Sequence, residues 1–141
     1  MFTQTGLHAV RALVVLARLP AGEYAGTGHL AKQTGAPRNY LGKLLQTLAH
    51  AGLVESQRGL GGGFRLAQPA RKITLLDVIE PFEHVSRWNG CILGNPRCSE
   101  AVPCALHEHW KAARGPYLEF LQQTTLADVL TSDRLPFACS R

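Results

Sequence analysis

The chain has 141 residues, of which 45% are hydrophobic, enough to build one cored domain with or without an appendage and to argue against wholesale disorder. No run of about 18 apolar residues is present, and the N-terminus lacks a basic segment leading into an unbroken apolar stretch, so the expectation is a soluble, cytoplasmic protein with no membrane partner. Fifteen Lys and Arg stand against ten Asp and Glu, and the whole net charge of +5 falls in residues 1–70, which hold seven basic and two acidic residues. Residues 71–141 hold eight of each. A basic first half joined to a neutral second half is the layout of a nucleic-acid-binding segment with an attached module, with scattered surface charge as the plainer alternative.

Residues 4–19 predict a helix, with Leu7, Val10, Val14 and Ala17 at helical spacing and Leu13 and Leu16 widening the stripe. Thr3 or Thr5 can cap it, and Pro20 and Gly22 end it. A short helix is expected at 28–34, with Thr27 as N-cap and Gly35 as the stop. The helix at 38–50 is the most regular: Leu41, Leu44, Leu45 and Leu48 make one apolar face, and Pro37 suits its entry. The opposite face carries Arg38, Asn39, Lys43, Gln46, Thr47 and His50, with no acid among them. Two helices joined by a short turn near Gly35–Ala36 have the proportions of a helix-turn-helix, whose second helix enters the major groove.

Beyond Gly52, two short extended runs, 53–58 and 64–66, flank Gly59-Leu60-Gly61-Gly62-Gly63 and predict a β-hairpin. Arg58 and Arg65 put charge on it, giving the wing of a winged helix. The glycines do not form a nucleotide-binding loop, because neither of the phosphate-loop patterns is present. Thr74-Leu75-Leu76-Asp77 opens a short helix through Glu80, which Pro81 is expected to end. Residues 82–103, with Asn89-Gly90, Gly94, Asn95, Pro96 and Pro103, read as a loop, long enough to imply that it binds something. A last long helix starts near Cys104, with Leu106, Trp110, Ala113, Tyr117 and Phe120 forming a near-heptad seam suited to a second copy of the chain or to its own body. Gly115-Pro116 is expected to kink or split it. A short helix begins at Thr125-Leu126-Ala127-Asp128, and the tail from Thr131 is expected to be loosely ordered.

The first 90 residues hold no cysteine; Cys91, Cys98 and Cys104 then fall within fourteen positions, His107 follows three residues later, and Cys139 lies in the tail. Such clustering in a protein expected to be cytosolic argues for metal binding or redox chemistry rather than structural disulfides. Three thiolates and an imidazole suit either zinc or an iron–sulfur cluster. The long gaps lack a tight zinc knuckle and favour a loop draped over a cluster, while unmetallated thiols remain the bland alternative. Cys139, His109, His8 and His29 read as bystanders. No arrangement of these residues assembles a catalytic constellation, so the expectation is a binding protein and not an enzyme.

The sequence resembles the Rrf2 family of winged-helix transcription regulators, and within it the IscR/NsrR-like, iron–sulfur-binding members. The resemblance is carried by His8-Ala9-Val10-Arg11-Ala12-Leu13, Asn39-Tyr40-Leu41, Ala51-Gly52-Leu53-Val54, and above all by Arg58-Gly59-Leu60-Gly61-Gly62-Gly63-Phe64-Arg65-Leu66. Ile73-Thr74-Leu75-Leu76-Asp77-Val78, the cysteine triad and Thr125-Leu126-Ala127-Asp128-Val129 extend it over residues 3–131. It implies a mostly helical fold with a small β-hairpin wing and a long C-terminal dimerisation helix. The implied organisation is a winged helix-turn-helix domain over 1–80, a cluster-binding loop over 81–103, the dimerisation and terminal helices over 104–131, and a flexible tail over 132–141.

The same resemblance implies a homodimer on a double-stranded DNA operator, acting as a repressor, with an iron–sulfur cluster (2Fe-2S rather than 4Fe-4S) on Cys91, Cys98, Cys104 and His107. The cluster is expected to sense redox state, nitric oxide or iron and cluster supply. Arg58 matches a wing arginine that enters the minor groove, and Arg38, Asn39, Tyr40 and Lys43 lie on the recognition helix, with Arg65 on the wing. There are departures: six residues separate the first two cysteines where the IscR pattern has five, Leu7 stands where NsrR-like proteins place an acidic ligand, and Gly42 replaces a recognition-helix glutamate. The alternative is a zinc-stabilised or metal-free winged-helix protein regulated by a protein partner.

Overall fold

The computed structural model describes residues 1–131; the expected flexible tail over 132–141, with Cys139, lies outside the described residues. Its elements in chain order are α1 (Gln4–Ala17), α2 (Thr27–Thr34), α3 (Arg38–His50), β1 (Val54–Gln57), β2 (Gly63–Leu66), α4 (Leu75–Glu83), α5 (His107–Gln123) and α6 (Leu126–Val129). Short 3-10 turns occupy Ala70–Lys72 and Val85–Asn89.

Thr3 caps α1, its hydroxyl oxygen accepting the Gly6 N–H at 3.1 Å. The apolar stripe of α1 packs on α2, α3 and α4, and Leu13, Leu30, Leu41, Leu45, Leu48 and Ile79 are fully buried. Each such side chain contributes about 1.5–3 kcal/mol by leaving water. The turn between α2 and α3 is built by two residues. Gly35 adopts φ 74°, and the Thr34 hydroxyl donates to Leu30 O at 2.8 Å while accepting from the Ala36 N–H at 3.3 Å. Gly26, rather than Thr27, stands at the N-cap of α2.

β1 and β2 pair antiparallel with Val54 opposite Leu66 and Gln57 opposite Gly63. Ala25 adds a third extended piece, exchanging both backbone hydrogen bonds with Phe64 at 2.8 Å each. That close approach requires Gly63: its φ is 133°, and a Cβ there would collide with the Ala25 carbonyl. The hairpin is thereby fastened to the segment between α1 and α2 and stands beside the outer face of α3.

The Thr74–Asp77 capping box forms as the sequence predicts. Pro81, however, does not end the helix: α4 runs to Glu83 and closes at His84, whose φ is 49°. Continuing the helix lets Phe82 pack against the core and sends the Glu83 carboxylate to Thr3, whose N–H and hydroxyl both donate to Oε1 at 2.9 Å. The loop expected at 82–103 likewise contains a 3-10 turn, anchored by fully buried Val85.

α5 begins at His107, not Cys104, and runs unbroken through Pro116, so Gly115-Pro116 does not split it. Only Leu121 of its seventeen residues is buried, and Leu106 and Phe120 are exposed beside and on it. A second capping box, Thr125–Asp128, starts α6. Backbone bonds from Leu75 N to Thr124 O (2.8 Å) and from Leu126 N to Ile73 O (2.9 Å) return this end of the chain to the winged helix.

Candidate nucleic-acid interface and cysteine centre

The outer face of α3 forms one wall of an open groove of about 690 Å³ lined by Thr27, Arg38, Asn39, Gly42, Lys43, Gln46 and Phe64. Its donors come from the recognition-helix face, and no carboxylate is among them. A Cβ at Gly42 would meet only the Thr27 methyl, at 3.9 Å, so the fold does not demand glycine there. Its effect is to leave that stretch of the groove without a side chain, at a helix cost of about 0.5–1 kcal/mol relative to Ala.

Three of the six residues assigned to DNA from sequence, Arg38, Asn39 and Lys43, line this groove. Tyr40 turns away from it: its hydroxyl bonds Thr5 Oγ1 and its ring meets His8 edge-on, with centroids 5.9 Å apart. Burial, then the nearby Arg11 charge, holds the His8 pKa below its ordinary value. On the wing, Arg58 is exposed at the start of the glycine turn. Arg65 is engaged within the chain, forming a 2.9 Å ion pair with its cross-strand neighbour Glu55 and lying 4.6 Å from the Tyr24 ring centroid.

The second site lies where the 90–106 loop meets α5. Cys91 Sγ is 3.5 Å from Cys104 Sγ, Cys98 Sγ is 3.2 Å from His107 Nδ1, and the three sulfurs lie within 4.8 Å of one another. The three sulfurs therefore converge, and His107 reaches them at Cys98, while its imidazole also groups with the Glu100 and Glu108 carboxylates. The three cysteines and His107 border a cavity of about 30 Å³ that Trp110 and Arg114 also line. Backbone N–H groups of Asn95 and Leu93 lower the Cys91 pKa. The Cys104 N–H favours the Cys98 thiolate, but desolvation and the adjacent Cys104 and Cys91 thiols outweigh it, and the Cys98 pKa rises. Thiols this close resist ionising together unless a cation sits among them, which is the chemistry of a thiolate metal site. The donor set and its convergence thus fit a metal ion or an iron–sulfur cluster.

The loop is pinned to α5 immediately before Cys91. The Trp110 indole N–H donates to the Trp88 and Gly90 carbonyls at 3.2 and 3.1 Å, and Arg114 donates to the same two at 2.8 and 3.3 Å. Trp88 in turn stacks on Tyr117, centroids 5.7 Å apart. On the far side of His107, Lys111 pairs with Glu100 at 2.7 Å. Lys111 first, then His107, lowers the Glu100 pKa, and that carboxylate raises the Lys111 pKa.

The Rrf2 family, described as iron-dependent transcriptional regulators, matches residues 2–132. This chain belongs to the Rrf2 family. A helix-turn-helix-type transcriptional regulator of Aquifex aeolicus is 33% identical over 132 residues, covering 92% of this chain and 91% of the relative. Among solved structures, T. potens IscR superposes with a TM-score of 0.76 at 26% identity, over 100% of this chain and 93% of that one. CymR, the global cysteine regulator of B. subtilis, gives 0.73 at 28% identity, over 92% and 95%. Members of the Rrf2 family are DNA-binding transcriptional regulators, not enzymes, and the winged-helix fold expected from sequence is the fold observed. Among the described residues, no helix of this Rrf2 protein is long and apolar enough to cross a membrane.

Sequence reading passed over Trp88, Glu100, Lys111 and Arg114. Two of them carried a usable signal: Lys111 is one turn beyond His107, and Arg114 one turn beyond Trp110, so each shares a helix face with its neighbour.

Proposed function

We propose that this Rrf2 regulator binds an operator as a homodimer and represses from it, and that an iron–sulfur cluster held by Cys91, Cys98, Cys104 and His107, 2Fe-2S rather than 4Fe-4S, controls that binding. The observation that carries the reading is the convergence of three sulfurs within 4.8 Å of one another, with His107 Nδ1 3.2 Å from Cys98 Sγ, at the joint between loop and α5. The likeness to T. potens IscR supports it. When bound, such a cluster supplies a redox-active charge that oxidants, nitric oxide or iron shortage can alter.

The chain's own residues do the rest. Arg38, Asn39 and Lys43 face the major groove, and Arg58 reaches the adjacent minor groove from the wing. Tyr40 and Arg65 hold the reading elements in place, Tyr40 through Thr5 and Arg65 through Glu55 and Tyr24. Cys91, Cys98 and Cys104 belong to the loop and His107 is the first residue of α5, so the four side chains join two segments whose relative position they can set. The uncovered side of α5, with Leu106 and Phe120, is where a second copy packs, which makes α5 the element that fixes the spacing of two recognition helices.

A second reading, a structural zinc ion, is favoured by one observation. Sulfurs within 4.8 Å of one another are compatible with a single tetrahedral ion, whose S···S edges are about 3.8 Å. Selecting bound duplexes from a random-sequence pool with anaerobically prepared protein, then titrating them with wild type and Cys98→Ala, tests the proposal. Loss of colour together with a changed affinity supports cluster control; a Cys98→Ala protein that keeps both defeats it.

A further inference from the structure

We propose that Glu100 is a positioning residue for the cysteine centre, accepting the Nε2–H of His107 so that Nδ1 is presented to the metal. The proposal rests on the reading of His107 as a ligand. The two ring nitrogens of His107 face different partners: Nδ1 lies 3.2 Å from Cys98 Sγ, while Nε2 lies toward the Glu100 and Glu108 carboxylates. Nε2 is buried without a hydrogen-bond partner, and the nearer of its two neighbouring carboxylates is Glu100 Oε1 at 3.5 Å. A neutral imidazole carries one N–H, so ligation through Nδ1 places that N–H on Nε2. A buried N–H without an acceptor is costly, and a carboxylate is the strongest acceptor available. Closing the gap by about 0.5 Å reaches ordinary hydrogen-bond length.

Glu100 is itself held in place. Lys111, four residues after His107 on the same face of α5, grips the same Oε1 at 2.7 Å. The loop carboxylate is thereby fastened to the helix that carries the histidine. Outer carboxylates of this kind fix the tautomer and ring orientation of a metal-bound histidine, and losing one typically costs about 10–100-fold in metal affinity. Glu108 provides an internal control. Its Oε1 is 3.9 Å from the same nitrogen, and it carries the same charge, but it stands further away and acts on Lys111 only through its charge, with no close ion pair among the described residues.

Competition of full-length protein against a chelator for Zn²⁺ reads the effect whichever metal is resident. Glu100→Ala should weaken Zn²⁺ binding about tenfold or more, Glu108→Gln should leave it unchanged, and Glu100→Ala should cost nothing further in a His107→Ala background. In metal-free protein labelled with ¹⁵N-histidine, His107 should be the Nε2–H tautomer in wild type and Glu108→Gln, and a tautomer mixture in Glu100→Ala. Equal losses from Glu100→Ala and Glu108→Gln, an undiminished loss in the His107→Ala background, or an unchanged tautomer overturns the proposal. If His107→Ala binds Zn²⁺ as tightly as wild type, the ligand reading and this inference fall together. A colourless wild type that shows the expected Glu100 pattern defeats the cluster reading alone.

Discussion

The hydroxyl of Tyr40, near the start of the recognition helix, donates to Thr5 Oγ1 at 2.6 Å across 35 residues of sequence. With the edge-on His8 contact it fastens the N-terminal ends of α1 and α3 together, leaving Arg38, Asn39 and Lys43 for the groove. Tyr40→Phe keeps the ring and deletes only the hydroxyl, so it should cost about 0.5–1.5 kcal/mol in urea denaturation. Its DNA affinity should fall less than that of Arg38→Ala, which removes a charge from the groove itself. A larger loss for Tyr40→Phe would mean that the hydroxyl touches DNA.

Gly63→Ala should be far more damaging. Its φ of 133° is hostile to a side chain, and the new methyl has nowhere to go beside the Ala25 carbonyl. A loss of about 2–3 kcal/mol is expected, of the size that backbone strain and a broken pairing produce. Denaturation midpoints of the variant and wild type give the comparison; a difference below about 0.5 kcal/mol, the range of neutral surface changes, would contradict the Ala25–Phe64 bridge.

The two wing arginines should behave differently. Arg58→Ala removes an exposed charge, so DNA affinity should drop and the slope of log affinity against log salt should shrink by about one. Arg65→Ala breaks a half-exposed pair with Glu55 and the contact with Tyr24, so its first effect is on the hairpin. A double-mutant cycle with Glu55→Gln should give a coupling of about 0.2–1 kcal/mol. Zero coupling in the free protein, with equal salt effects for both arginines, would assign Arg65 to DNA instead.

His8 should make the protein acid-sensitive. Its pKa is lowered in the fold by burial and by Arg11, so below about pH 6.5 the unfolded chain binds the proton more readily than the native one. The associated stability is complete above that pH and declines as pH falls toward the folded pKa. Urea denaturation at descending pH should show the decline, and His8→Gln should reduce its slope. An unchanged slope would assign it to other groups.

How far these relationships could be read from sequence depends on their range along the chain. The stripe Leu41, Leu44, Leu45 and Leu48 is local and periodic, and all four are buried as the spacing predicts. The capping box at Thr74–Asp77 and the glycine-rich turn are equally local signals. Pro81 misled because a helix-interior proline costs about 3 kcal/mol by local propensity, and in α4 the packing of Phe82 and the Glu83–Thr3 link, both remote in sequence, offset it. Cys91, Cys98, Cys104 and His107 could be singled out as candidates because chemistry limits which side chains bind soft metals, and the structure brings the three sulfurs together with His107 beside Cys98. The residues that hold them could not be singled out in this way. Trp110 and Arg114 bind backbone carbonyls of Trp88 and Gly90, which any residue type supplies. Glu100 meets Lys111 across an aperiodic loop, and Thr5 meets Tyr40 only after α1 and α3 have packed.

If Cys91, Cys98, Cys104 and His107 hold an iron–sulfur cluster, the protein carries iron and sulfide as prepared. Anaerobic purification followed by a visible spectrum and counts of iron, acid-labile sulfide and zinc tests this most directly. The protein should be coloured, with iron and sulfide in equal amounts, and Cys98→Ala should lose both. A colourless protein that carries zinc, or no metal at all, would contradict the cluster reading.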